Sequence, residues 1–346
     1  MNLTNFARCA AVIGAALLTA CGAESQSSGG SLPQSSNTGH RLNHHKSWIL
    51  PNAGRQWLLY VSDEDTGTID IYNYRAKAGK LYGQITGLEE PAGQCIDSAG
   101  NVYVPDYRST QIYEFAHGGI TPIATVSDIY GRPIGCSVDP TTGNVAVMNF
   151  FTPPTYAGNV VVFAGGLNGS QTDYASPELQ SINPGAYDAR GNLIVEGDNT
   201  ASTEPVLAEL PAGGSTFTIL TGLTIWQTAS VQWDGSYIAA VDQDYQASGT
   251  TAIHRVTISG SQVSVVRTSV LTDSCAPSGD YMQAFQPFIG GTTRVQNAVV
   301  AGDLGCSNRL GFWNYANGGN PKRVIPADIA PAYPSGASVS PPAGAR

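Results

Sequence analysis

At or near the ends of short apolar segments stand Asp63, Asp106, Asn149, Asp198, Asp242 and Asp303. Hard cations such as Ca²⁺ take several oxygen ligands, so carboxylates brought together in a ring could bind a cation or a cationic group. The same residues also have a local use, because Asp and Asn at a turn accept hydrogen bonds from their own loop backbone. A residue type that recurs in every unit fits the structural use better. No cofactor is assigned, Ca²⁺ being the one this chemistry would take, and Glu90, Asp106 and Asp198 are the weak metal candidates.

Other catalytic apparatus is sparse. Metal-assisted hydrolysis needs carboxylate and amide ligands converging on one ion with an open water position, and only Glu90 offers a carboxylate beside a strand that could line a common axis. A Ser-His-Asp triad has no suitably placed histidine, since His117 falls in a turn and His254 on an outer strand, and no G-x-S-x-G elbow is present. Aromatic residues are better placed for binding. Tyr107, Phe150, Phe151, Tyr156 and Tyr245 fall in expected loops, with Trp226 at the start of a strand. They either line a groove or pack locally over the ends of the sheets.

The elements that must position these residues are short strands. Pro91–Asp97, Pro133–Pro140, Pro184–Asp188 and Pro334–Pro341 are related openers, each a Pro followed by Gly and small or apolar residues, and Ala229–Asp234 is a degenerate copy without the Pro and Gly. Asp97, Asp139, Asp188 and Asp234 recur roughly 40 to 50 residues apart, a spacing typical of propeller blades. After the first three, a turn carrying Gly-Asn leads to an apolar strand (Val102–Val104, Val145–Val147, Leu193–Val195), the pattern of a hairpin. A third and a fourth strand follow in each unit. The last opener has no strands after it, whereas Leu58–Asp63, Thr68–Tyr74 and Lys80–Ile85 lack an opener before them. The expected fold is all-β: a six-bladed β-propeller over 48–342, its ring closed by the C-terminal strand joining the N-terminal blade.

The pattern P-x-G-x-x-x-D, a turn with Gly-Asn and then V-Y-V-x-D, clearest over Gly93–Asp106 and Gly135–Asn149, resembles NHL-type six-bladed propellers, including the gluconolactonase-like and TolB-like groups. That resemblance implies loops from strand two to three and from strand four to the next opener on one face. Long loops are expected at Phe150–Gly158, Gly197–Glu204 and Asp244–Thr250. Long loops on a rigid ring are where function resides. The candidate binding face is therefore Asp63, Asp106, Tyr107, Phe150, Phe151, Asp198, Trp226 and Tyr245. The expected role is a scaffold for a protein or small-molecule ligand of the cell envelope; the alternative is a metal-assisted hydrolase or lactonase of the gluconolactonase-like type.

Compartment is read from the N-terminus. Ala10–Ala20 is apolar, follows Arg8, and is too short to span a bilayer but suited to a signal peptide. Leu18-Thr19-Ala20-Cys21-Gly22 resembles the bacterial lipoprotein cleavage box, which implies a signal peptide over 1–20 and lipidation of Cys21. Gly22 after the cysteine resembles the pattern sent to the outer membrane, so a lipid-anchored envelope protein facing periplasm or exterior is expected. The stretch 21–47 is polar and forms a tether with a reach of about 25 to 30 Å. Its His40, His44 and His45 read as polar filler rather than as a metal tract. Contact with the membrane is expected through the anchor only, and the protein is expected to be a monomer. A net charge of −9 and scattered Lys and Arg disfavour nucleic acid as a partner. An exported chain permits disulfides. Cys275 and Cys306 are expected to form one, while Cys95 and Cys136, one register apart on neighbouring strands, are expected as packed free thiols.

Overall fold

The computed structural model describes residues 46–76, 79–152, 157–273, 287–290, 297–303 and 308–344. The signal peptide, Cys21 and nearly all of the tether lie outside the described residues, as do Tyr156, Cys275 and Cys306.

Strands follow one another with short turns. The first are β1 (Trp48–Ile49), β2 (Leu58–Asp63), β3 (Thr68–Asn73) and β4 (Leu81–Thr86). Then come β5 (Cys95–Ile96), β6 (Val102–Asp106), β7 (Gln111–Phe115) and β8 (Pro122–Ser127). Next are β9 (Pro133–Val138), β10 (Val145–Thr152), β11 (Ala157–Phe163) and β12 (Gln171–Ala175), followed by β13 (Ala186–Tyr187), β14 (Leu193–Asp198), β15 (Pro205–Leu210) and β16 (Thr218–Ile219). The chain continues through β17 (Thr228–Trp233), β18 (Ile238–Tyr245), β19 (Thr250–Ser259) and β20 (Gln262–Leu271). It finishes with β21 (Phe288–Ile289), β22 (Val299–Asp303), β23 (Arg309–Asn314), β24 (Gly318–Ile325) and β25 (Pro334–Ser340).

These strands form antiparallel meanders. Three sheets run β5-β6-β7-β8, β9-β10-β11-β12 and β13-β14-β15-β16. An eight-stranded sheet consists of two antiparallel runs, β17 to β20 and β21 to β24, joined by a single parallel pairing of Leu271 with Gly319. The remaining sheet, β1-β4-β3-β2-β25, joins the two ends of the chain. In it β25 lies antiparallel to β2, from Leu58 opposite Ser340 to Ser62 opposite Gly336. The orphan C-terminal opener therefore supplies the missing first strand. The outermost strand β1, paired with β4 through Trp48 and Gln84, had no counterpart in the sequence reading.

The openers are small for a steric reason. A Cβ on Gly336 would sit 2.6 Å from the Ala92 carbonyl oxygen, and one on Gly185 would sit 2.4 Å from that of Ile194. The Asp-led turns form as the residues dictate: Asp97 accepts from the N–H groups of Ala99 and Asn101 at 2.8 Å, and Asp188 accepts from Arg190 and Asn192 at 2.8 and 3.0 Å. Gly100 and Gly191 in those turns hold φ of +93° and +83°, which costs a glycine nothing.

Burial runs outward from first strand to fourth. Every residue of β2 and β25 is buried, whereas β8 and β12 alternate exposed and half-buried positions. Each apolar cluster joins two successive units. One binds β2–β4 to β6–β7 through Tyr60, Ile69, Val104 and Phe115, and the last returns from β22–β23 to β2–β3 and β25 through Val300, Phe312, Leu59 and Val339. Apolar burial thus closes the circuit that the β2–β25 pairing begins.

Two expectations are corrected here. Phe150, Phe151 and Thr152 belong to β10, and Ala157 and Gly158 to β11, so these five residues of the expected loop lie in strands. Cys95 and Cys136 are not free thiols but a disulfide, with Cα atoms 5.5 Å apart. Alternation along a strand decides facing within one sheet. Since β5 and β9 belong to different sheets, their side chains meet across the gap between sheets and that argument does not apply.

Candidate functional site

The strand-two carboxylates are used by the fold. Asp63 accepts from the N–H groups of Ala332 (2.7 Å) and Tyr333 (3.2 Å), in the loop that enters its own sheet. Asp106 does the same to Glu89 (2.8 Å) and Glu90 (2.9 Å), and also takes the Ser109 N–H at 3.3 Å. Asp242 holds the Gln227 N–H at 3.1 Å, and Asp198 accepts from the Ser181 hydroxyl at 2.7 Å. In the third unit the task is split: the Asn149 amide donates to Asp128 at 2.9 Å, and Asp128 accepts from the N–H groups of Tyr130 and Gly131. Asp303 pairs with Arg309, which also pairs with Asp273. Asp63, Asp106, Asp198 and Asp242 thus each hold a neighbouring loop with at least one oxygen, while Asp242 Oδ2 and Asp303 Oδ1 are buried without a hydrogen-bond partner. Glu90 is paired with Arg108 at 3.0 Å. Among the described residues no group of three or more His, Cys, Asp or Glu side chains is placed to hold a metal ion.

Pinning these loops builds a surface. Asp128 ties the β8–β9 loop between its neighbours, its own N–H donating to the Thr110 carbonyl at 2.8 Å. The loop then presents Ile129, 73% exposed, and Tyr130, 39% exposed. Arg132 of the same loop lies over the Tyr107 ring at 5.4 Å. Tyr107 meets Phe151 edge-on at 6.0 Å between ring centres, and Phe151 meets Phe150 at 5.8 Å. Of the eight residues expected on the binding face, the structure brings Tyr107, Phe150 and Phe151 together. Asp63, Asp106 and Asp198 are instead buried or half-buried anchors of the loops at 332–333, 89–90 and 181. Trp226 is 50% exposed on the loop before β17, and Tyr245 packs on His254 at 5.5 Å, both on other units. Sequence reasoning passed over Ile129, Tyr130 and Arg132, although two large apolar residues between Asp128 and Gly131 in a turn were a readable signal.

A second polar group is wholly internal. Glu196 on β14 is fully buried and accepts the Ala229 N–H at 2.7 Å, while its other oxygen has no partner. Burial, with the nearby Asp242 and Asp198 carboxylates, pushes its carboxyl well above the ordinary carboxylate range, against the Ala229 N–H bond that favours ionisation. His254 Nε2 lies 3.7 Å from Asp242 Oδ2, and neither atom has a hydrogen-bond partner. His254 Nδ1 pairs with the Thr268 hydroxyl at 2.9 Å. Glu196, Asp242 and His254 are all buried within the sheets.

A cavity of about 270 Å³ is lined by residues on or beside β5, β9, β13, β17, β21 and β25, including Gln94, Gln232, Trp233 and the Cys95–Cys136 bridge, and among the described residues no charged side chain lines it. The Gln94 amide is spent within the wall, donating to the Ser62 hydroxyl at 2.6 Å and accepting from the Ser338 hydroxyl at 2.8 Å.

With this geometry in hand, comparison with known proteins adds the fold. No protein family and no curated protein matches the sequence. Solved structures do. A chain of a nidogen–laminin complex is 14% identical, with a TM-score of 0.57 over 82% of this chain and 98% of that one. A protein of unknown function from Bacteroides caccae is 12% identical, with a TM-score of 0.56 over 82% and 99%. The Cps50 (Swd1) β-propeller domain of Myceliophteria thermophila is 11% identical, with a TM-score of 0.50 over 81% and 86%. At such identities the likeness carries the fold alone. The chain is a β-propeller.

Proposed function

We propose that this chain is an envelope lipoprotein whose six-bladed propeller is a protein-binding scaffold. In this reading Cys21 carries the lipid, 21–47 is the tether, and the propeller over 48–342 is a monomer that docks a partner on the face around Tyr107, Ile129, Tyr130, Phe150 and Phe151. Six blades are favoured because the eight-stranded sheet divides into two antiparallel runs of four at one parallel pairing. The central cavity, with one strand from each of the six runs in its wall, favours the same number.

The observation that carries the binding role is Ile129, 73% exposed on a hydrogen-bonded loop whose Arg132 lies over Tyr107 of the edge-on Tyr107–Phe151–Phe150 group. Solvent-exposed aliphatic and aromatic side chains on a rigid support mark interfaces, where aromatic and Arg anchors carry most of the binding energy. A photo-crosslinking residue at position 129, in cells of the native host, should yield one saturable adduct identified by mass spectrometry. The same residue at position 142, in the turn at the other end of β10, should yield none. Equal crosslinking from both positions would contradict the reading. Fatty-acid labelling that persists in Cys21→Ala would contradict the anchor.

A further inference from the structure

Arg132 is the last residue of the β8–β9 loop and precedes Pro133, where β9 begins. Its guanidinium carbon lies over the Tyr107 ring at 5.4 Å, a cation–π contact that consumes none of the hydrogen-bond donors. Among the described residues no carboxylate, carbonyl or hydroxyl accepts from this side chain. By contrast, Arg108, Arg190, Arg255 and Arg309 each face a carboxylate. The carboxylates of the adjoining loops are already in use. Asp128 accepts from the Tyr130 and Gly131 N–H groups at 2.8 and 3.2 Å with one oxygen and from the Asn149 amide at 2.9 Å with the other. Asp106 holds the N–H groups of Glu89, Glu90 and Ser109, and Glu90 is taken by Arg108. A half-buried guanidinium is thus set on an aromatic ring, beside exposed Ile129 and Tyr130 of its own loop, with donors that the fold leaves open.

Resting on the reading of this face as the docking surface, we propose that the partner is a protein segment carrying an aspartate or glutamate, whose carboxylate meets Arg132 while apolar residues beside it cover Ile129 and Tyr130. A guanidinium presents paired N–H donors whose spacing matches the two oxygens of a carboxylate. Apolar cover also removes water from those donors. An uncharged segment would then leave them short of acceptors, and a cationic one would add repulsion, so the contact selects as well as attracts. The Tyr107 ring and the restriction that Pro133 places on the residue before it hold Arg132 in position, so little freedom is lost on binding. With Arg108 held by Glu90, the described residues of this face form no basic cluster of the kind a polyanion would need, which suits a single carboxylate.

The test uses the full-length lipoprotein in detergent and three blocked peptides, acetyl-Leu-Trp-Glu-Leu-amide and its counterparts with Gln or Lys replacing Glu, each carrying the same uncharged dye. Fluorescence anisotropy at neutral pH reads their affinities. The Glu peptide is expected to bind at least about tenfold more tightly than the other two and to weaken with added salt. Arg132→Gln should erase the preference for Glu over Gln, and Arg132→Lys, which keeps the charge but not the paired donors, should retain part of it. Because the Arg132 side chain donates no hydrogen bond within the described fold, both variants should unfold in urea close to the unmodified midpoint, so a lost preference reports binding. In host cells the adduct from position 129 should fall at least about tenfold in Arg132→Gln. Equal binding of the Glu and Gln peptides, or a preference that survives Arg132→Gln, would overturn the proposal. If no peptide binds and the adduct is undiminished in Arg132→Gln, the carboxylate requirement is refuted and the docking face stands; if position 129 gives no adduct at all, both fall.

Discussion

Breaking the Cys95–Cys136 bridge should destabilise the propeller by about 4 kcal/mol. The two residues are 41 apart in sequence, and closing a loop of that length removes denatured-state entropy worth about 4 kcal/mol at 25 °C. The bridge joins β5, only two residues long, to β9 of the next sheet, so few ladder hydrogen bonds duplicate its work. Substituting both cysteines by alanine would mix this effect with a packing defect, because Cys136 is fully buried. Reduction of the unmodified protein isolates it. Urea unfolding followed by tryptophan fluorescence, with and without a phosphine reductant, should show a lower midpoint and a steeper denaturant dependence, since the reduced unfolded chain exposes more surface. Peptide mapping must first find Cys95 joined to Cys136. A loss under about 1 kcal/mol, or two free thiols in protein from an oxidising compartment, would refute the reasoning.

Other outcomes follow from the loop anchors and the buried acid. Asp106→Ala should cost about 3 kcal/mol by urea unfolding, because it strands the N–H groups of Glu89, Glu90 and Ser109. Chelator should leave the melting temperature unchanged; a drop on chelation would favour a carboxylate-bound cation instead. Glu196 has a folded pKa raised above its ordinary 4.5, so the stability it contributes is fully present below about 4.5 and is lost as pH rises through the folded value. Stability measured from pH 5 to pH 9 should therefore fall less steeply in Glu196→Gln than in the unmodified protein.

The architecture was largely legible because each unit carries its own local signals. Asp97, Gly100 and Asn101 specify a turn through contacts within five residues, and the Pro-Ser-Gly opener at 334–336 betrays a first strand even with no sheet after it. What escaped depends on packing between sheets. The Cys95–Cys136 bridge spans two sheets, and no alternation rule along β5 or β9 encodes that distance. Strand β1 is two residues long and closes by pairing with Gln84 and Gly83, a signal too short to read. At the candidate site the aromatics were visible by type, but their grouping was not. Tyr107 and Phe151 meet because Asp128 pins the intervening loop through Thr110 and Asn149, contacts between units.

Hydroxyl-radical footprinting of the lipoprotein in its native envelope and after purification addresses the docking face directly. Tyr107, Tyr130, Phe150 and Phe151 should be protected in the envelope and reactive when isolated, while Tyr237, in the turn between β17 and β18 at the opposite end of the sheets, should react equally in both. Equal reactivity of the first four residues in the two states, or protection confined to Tyr237, would contradict a propeller that works by docking a partner on this face.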